Sequence, residues 1–434
     1  MLFSHIGILD EHFDYRPDMF VGTQDGRIAY VSAAEPSPAQ AAALGERYDG
    51  RGKLLMPAFY NAHAHAPMVL LRGYAENLRL QEWLNDAVFP FEGRMTDDDA
   101  HAAMLVALAE MARFGCVSCS DMYFCDDARC EAVRDFGAKC NVSRGVTAFD
   151  EDDFAKTNDA KAYETLWDWD GAADGRIKVD LCLHAEYTNN EHTYRQVAEL
   201  ARQHGAIVHV HVSETRSEHE ECQARHRGLT PTGLLLETGV LDSPVLAAHC
   251  VWCTPQDLDV LAEHNASIVC NPASNMKLAS GFAPVGGMLQ RGINVALGTD
   301  GVASNNAHDM LRDTYLFATI YKGASGDPTL VTPRQALYAA TRAGALAQGR
   351  ADCGLVREGM RADLTVMDVA TPWMCPVSDM AANVVYSASG SDVVLTMCDG
   401  VVLYRDGAWP TADVATAMER TQAATDRIRA ELGK

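Results

Sequence analysis

Hydrophobic and polar positions alternate with two different periods along this chain, and the change of period divides it. Near the start the runs are short and turn-punctuated: Ile6–Leu9, then GRIAYV (26–31) after the turn at Asp25-Gly26. The same texture returns at RADLTVMD (361–368), DVVLTMCDG (392–400) and VVLYRDG (401–407), with Asp-Gly turns at 399–400 and 406–407. Two β segments at opposite ends of a chain can pair, so residues 1–55 and 354–410 are expected to form one small β-sandwich domain. From 56 to 353 β and helical patterns alternate. Apolar strand runs end near Ala62, Ser120, Ser143, Leu183, His211, His249, Asn271 and Thr299, with helical stretches between most of them. Thr96–Phe114 is the clearest helix, with a capping Thr, three acidic residues in its first turn and Gly115 behind it. Eight such units predict an α/β fold, a (β/α)8 TIM-like barrel. A doubly wound sheet is the runner-up, but no GxGxxG follows a strand and opens a helix. Residues 411–434 read as a C-terminal helix with a weak stripe of Val414, Met418, Ile428 and Leu432.

Composition narrows the function classes. The chain has 434 residues, 48% hydrophobic and 22% charged, enough to bury a large core. Its formal charge of −23 argues against nucleic acid or an anionic membrane as partner. No run of about 18 apolar residues predicts a membrane span, and the opening residues lack the basic start of a signal peptide. Thirteen cysteines without disulfide-like rhythm are expected to be buried in a reducing compartment. A cytoplasmic protein is expected. The CxxC pairs Cys116/Cys119 and Cys250/Cys253 lie too far apart in sequence for a zinc ribbon.

In such a barrel the reactive side chains project from the C-terminal ends of the strands. Strand one ends in His63-Ala-His65, two imidazoles on one side of a strand. Strand five, IVHVHVSET, offers His209, His211 and Glu214; strand six ends in His249; strand eight ends in Asp300 after an apolar run. A charged Asp in that setting costs several kcal/mol, on the order of 3–5, unless it is paired or ligates a metal. His63, His65, His211 and Asp300 form a three-nitrogen, one-oxygen set suited to one divalent ion, Zn2+ first and Fe2+ second. His211 is preferred to the deeper His209. His249 is read as a neighbour of the bound water, with a fourth nitrogen ligand as the alternative. Strand four, KVDLCLHAEY, has no lysine at its end to bridge a second metal, and His184 there faces the substrate side.

These residues carry a resemblance. LMPAFYNAHAHAPMVLLRGYAENLRLQEWL, HVSET, AHCVW, NPASNMKLASG and LGTDGVASNN resemble, in order, the strand ends of the amidohydrolase superfamily. The branch most similar is the S-adenosylhomocysteine/5′-methylthioadenosine deaminases, with triazine hydrolases and guanine deaminase as cousins. The resemblance covers nearly the whole chain and implies a hydrolytic deaminase of an amino-substituted heteroaromatic ring, with an adenosine-type nucleoside as substrate. It implies that Glu214 shuttles protons, that His249 orients the metal-bound water, and that Asp300 ligates the metal and takes part in catalysis. Glu92 matches a ribose-binding residue, Arg144 and His184 match substrate contacts, and Trp83 matches the WL of the same loop. A homo-oligomer, dimer or tetramer, is expected. Two departures bear on the substrate: residues 147–160 hold no Arg, only Lys156 among acidic residues, and Glu186 adds a negative charge near the expected pocket mouth. The alternatives are hydrolysis of another leaving group or of another ring (triazine, guanine, pterin, cytosine), and, more distantly, a non-catalytic scaffold.

Overall fold

The computed structural model describes residues 1–74, 76–148 and 153–433. The two chain ends meet in one eight-stranded sheet, ordered Val401–Arg405, Val393–Cys398, Leu364–Asp368, Lys53–Pro57, Leu2–Leu9, Tyr15–Gln24 and Arg27–Ser32, with Arg47–Asp49 beside Leu2–Leu9. Lys53–Pro57 is the joint, parallel to Leu2–Leu9 on one side and antiparallel to Leu364–Asp368 on the other. Phe3, Ile6, Ile8, Leu55, Val366 and Leu395 form a core separate from that of the barrel. Tyr15–Gln24 escapes the alternation pattern because its first four residues, Tyr15, Arg16, Pro17 and Asp18, are all exposed.

Eight parallel strand positions follow: Phe59–Ala64, Cys116–Tyr123, Lys139–Arg144, Ile177–Val179 continued as Leu181–Leu183, Val208–Val212, Val245–His249, Ser267–Cys270 and Asn294–Leu297. Hydrogen bonding divides this ring into a four-stranded and a five-stranded sheet. The break falls inside strand four, at the buried Asp180, whose carboxylate accepts from Asn141 Nδ2 at 2.9 Å. A second junction joins strand eight to strand one: Asp300 N–H donates to His63 O at 3.0 Å, and Thr299 N–H to Asn61 Oδ1 at 3.0 Å. The strands are buried along almost their whole length, as parallel strands covered by helices must be.

Thr96 caps the helix Asp97–Arg113 through a reciprocal bond with Asp99. The C-terminal helix Val414–Glu431 packs on it, but through Val414, Ala417, Thr421, Ala424 and Ile428; Met418 is 58% exposed. Val414 and Ile428 of the expected stripe are buried, whereas Met418 faces outward and the small residues Ala417, Thr421 and Ala424 take the inner face instead. Thr425 of this helix also donates to Leu70 O at 3.0 Å, so the tail braces the segment just after His65. Every cysteine except Cys125 and Cys375 is buried. Among the described residues no helix is long and apolar enough to cross a membrane.

Candidate metal centre and active site

The predicted residues converge at the C-terminal ends of the barrel strands. Each imidazole is fixed through Nδ1, so the opposite nitrogen turns inward. His65 Nδ1 donates to Met122 O at 2.7 Å, and His211 Nδ1 donates to His184 O at 2.6 Å. A carbonyl can only accept, so these contacts place a proton on Nδ1 and leave Nε2 as the nitrogen that turns toward the centre. His249 Nδ1 bonds Asn275 Oδ1 at 2.8 Å. His63 Nδ1 bonds His209 Nε2 at 2.8 Å, while its own Nε2 is buried without a partner. His209, two residues deeper than His211, is therefore the support of His63.

One ligand atom from each of His63, His65 and Asp300 lies within 4.8 Å of the others, and the same holds for His63, His211 and His249. The triads share His63. Asp300 Oδ1 is 3.2 Å from His65 Nε2 and 3.4 Å from His63 Nε2. Its other oxygen accepts from Ser274 Oγ at 2.6 Å and Ser304 Oγ at 3.0 Å, which aims the carboxylate. Burial pushes His63 down to about 4 and holds His211 well below the usual imidazole range, so both are neutral donors near pH 7. His65 is opposed by burial but lifted to about 9 by its bond to Asp300, whose carboxyl is held well below the carboxylate range despite its burial. A divalent ion between these atoms would supply the positive charge that Asp300 otherwise draws from His65. The orphaned Nε2 of His63, the inward Nε2 atoms and the aimed carboxylate fit a divalent metal.

The backbone is bent to present these groups. Ser213, His249 and Asp300, all at strand ends, adopt the left-handed region with φ of 48°, 70° and 62°. Gly298, just before Asp300, has no room for a side chain: a Cβ would stand 2.8 Å from His63 O.

Glu214 lies beside the metal set, 5% exposed, with Oε2 at 4.0 Å from His249 Nε2. Burial raises its pKa above the ordinary carboxyl value, so it can carry a proton. Ser280 Oγ donates to its Oε1 at 3.2 Å. The Glu218 carboxylate takes the backbone N–H groups of Ser213 and Glu214 at 2.9 and 2.7 Å, locking the turn. Sequence reasoning missed Asn275, Ser280, Ser274 and Glu218. The run NPASNMKLASG contains the first three, but their partners are distant in sequence.

A cavity of about 270 Å3 opens beside this centre, and Glu92, Trp83, His184 and Arg144 all line it. Glu92 is partly buried, with Oε1 shielded and without a partner; burial lifts it to about 7, against the pull of a bond from Tyr123. His184 is pushed down to about 3 by burial and bonds Thr188 Oγ1 at 3.1 Å. Trp83 is 6% exposed and presents part of the apolar wall. Arg144 lines the cavity while its Nε and Nη1 are held by Asp159 and Asp126 at 2.7 and 3.0 Å.

The expectation for Glu186 is corrected. It is buried, 2% exposed, and bound by Arg225 at 2.6 and 2.9 Å and by His226 at 2.8 Å. Its charge is spent on that cluster and does not face the cavity. Lys156 points to solvent, 83% exposed, 3.2 Å from Asp153. Part of the loop 147–160, residues 149–152, lies outside the described residues.

A barrel with histidines and an aspartate gathered at its strand ends has the donor set of a metal-dependent hydrolase. The amidohydrolase family model matches residues 54–403, and the chain belongs to the amidohydrolase family. It is 40% identical over 405 residues, 93% of both chains, to a 5′-deoxyadenosine deaminase of Methanothermobacter thermautotrophicus. It is 40% identical over 396 residues, 91% of both, to a 5-methylthioadenosine/S-adenosylhomocysteine deaminase of Moorella thermoacetica. Among solved structures, an adenosine deaminase from Xanthomonas campestris with bound zinc superposes with a TM-score of 0.91 at 29% identity, covering 99% of this chain and 98% of that one. The atrazine chlorohydrolase of Arthrobacter aurescens, at 21% identity and a TM-score of 0.88 over 98% and 99% of the two chains, shares the fold.

Proposed function

We propose that this amidohydrolase is a mononuclear, zinc-dependent deaminase of adenosine-type nucleosides that converts the C6 amine of the base into a carbonyl and releases ammonia. The observation that carries the proposal is Glu214, a buried carboxyl with a raised pKa whose Oε2 stands 4.0 Å from His249 Nε2 beside the convergent histidines. His63, His65, His211 and Asp300 would hold the ion. When bound, the ion lowers the pKa of a water toward about 7 and so supplies a nucleophile at neutral pH.

The remaining work falls to this chain's own side chains. Addition of water at C6 needs a proton at the neighbouring ring nitrogen, and Glu214 delivers it, held in place by Ser280 and by the turn that Glu218 locks. Glu214 then relays a proton to the departing amine, which leaves as ammonia. His249, fixed by Asn275, turns Nε2 toward the oxygen that becomes the carbonyl and stabilises its developing charge. His184 borders the same space, and Trp83 closes the apolar wall against which the base lies. The open Oε1 of Glu92 accepts from the ribose hydroxyls, since a carboxylate can take two bonds from a vicinal diol.

The test is an ammonia-release screen of the zinc-loaded protein. It covers adenosine, 5′-deoxyadenosine, 5′-methylthioadenosine, S-adenosylhomocysteine, guanine, cytosine and pterins. Turnover of the adenosine group supports the reading. Turnover of free bases without any nucleoside would remove Glu92 from its role and overturn it.

A further inference from the structure

The wall of the cavity at strand three carries an alternating chain of buried and half-buried charges. Asp121 Oδ2 bonds Arg129 Nη1 at 2.7 Å, and Arg129 Nη2 bonds Asp126 Oδ1 at 2.6 Å. Asp126 Oδ2 then meets Arg144 Nη1 at 3.0 Å, and Arg144 Nε meets Asp159 Oδ1 at 2.7 Å. The chain begins and ends on a carboxylate. Three acids face two guanidiniums, which leaves one negative charge in excess. Asp159 is the end that lines the cavity, 15% exposed, and its second oxygen accepts the Thr147 N–H at 3.2 Å. Among the described residues Arg144 is the one guanidinium or ammonium group lining the cavity, and it is already engaged by two acids.

Position follows from strand register. Tyr123, the hydrogen-bonding neighbour of Glu92, is the direct register partner of Arg144 on the adjacent strand. Tyr123, Phe124, Arg144 and Asp159 thus line the same stretch of cavity wall beside Glu92, within reach of the 5′ side of a nucleoside whose ribose hydroxyls meet Glu92. We propose that Asp159 sets the 5′ specificity: by occupying Arg144 and leaving a surplus negative charge, it makes the pocket accept uncharged or cationic 5′ groups and discriminate against a carboxylate there. This rests on the deaminase reading above. A carboxylate entering that wall would lose its water shell beside a like charge and find no free cation.

The experiment uses three nucleosides of nearly equal size: 5′-deoxyadenosine with a methyl, 5′-amino-5′-deoxyadenosine with an ammonium, and adenosine-5′-carboxylic acid with a carboxylate. In the zinc-loaded wild type, kcat/KM for the methyl compound should exceed that for the carboxylate by about tenfold or more, mainly through KM. Asp159→Asn should shrink this ratio by about tenfold and lower kcat/KM for the ammonium compound. A wild type that handles carboxylate and methyl alike overturns the proposal, whether or not the variant folds. So does a folded Asp159→Asn enzyme with the wild-type ratio. Wild-type inactivity on all three would instead overturn the deaminase reading itself.

Discussion

Two clusters of buried ionisable groups sit at opposite ends of the barrel strands, and they are built on opposite plans. At the N-terminal end, Lys139 is enclosed by Asp363 at 2.6 and 2.7 Å and by Asp399 at 2.7 Å, and Tyr60 donates its hydroxyl to Asp363 as well. Burial works against both charges, yet the pairing holds Lys139 above its ordinary range and Asp363 below its own. None of these polar atoms is left without a partner. This cluster ties the strand-three start to the sheet made from the chain ends. At the C-terminal end, His63 Nε2 and Glu92 Oε1 are buried without a hydrogen bond. Burial of an unpaired polar group costs about 1–3 kcal/mol. A fold that leaves such atoms open in one cluster while it pairs the polar atoms of Lys139, Asp363 and Asp399 in the other has room for a ligand at the first.

The comparison predicts how each end breaks. His211→Ala should remove most of the metal, which we expect at about one ion per chain, and with it nearly all turnover; metal analysis of the purified variant checks this. Two tightly held ions in the wild type would refute the mononuclear site. Glu214→Gln should keep the fold and the metal but lose turnover by ~10²-fold or more, because one general acid/base is gone. Deamination at nearly the wild-type rate would move the proton relay elsewhere.

At the saturated end the effect is on stability instead. Lys139→Met removes the cation from the buried Asp363 and should cost about 3–5 kcal/mol in denaturant unfolding, while the folded variant keeps its metal and its kcat. The smallest effect is expected at Glu92. Its pKa of about 7 in the fold exceeds the ordinary 4.5, so the folded chain binds the proton more tightly than the unfolded one. That contribution is full below about pH 4.5 and is lost as the pH rises through about 7. Glu92→Gln should therefore raise Tm relative to the wild type at pH 8 and not at pH 4, while raising KM for nucleosides. An equal Tm difference at both pH values would contradict a Glu92 carboxyl whose proton is held by burial.

Much of the histidine-rich end is legible in the sequence, because a polar residue that interrupts an apolar strand run at its end stands out. His63, His65, His211, His249 and Asp300 all announce themselves this way. The supporting residues do not. Asn275 meets His249 across 26 positions, and Ser280 meets Glu214 across 66, so no local pattern reveals them. Glu186 misled for the complementary reason: a lone acid in sequence reads as a free charge, and its neutralising Arg225 and His226 come from a later helix and the turn behind it. The saturated cluster was invisible too, since Lys139 and Asp363 lie 224 residues apart. The strand Tyr15–Gln24 was missed because YRPD at its start lacks the alternation that buried strands show.

In the proposed reaction the open end of the barrel adds water to C6 of an adenosine-type nucleoside and expels ammonia. Incubation of the zinc-loaded protein with 5′-deoxyadenosine in 18O-labelled water, followed by mass spectrometry and ammonia assay, tests it directly. The account predicts one labelled oxygen in the base for each ammonia released, with the glycosidic bond intact. Release of free adenine, or no turnover by protein carrying its full complement of metal, would contradict it.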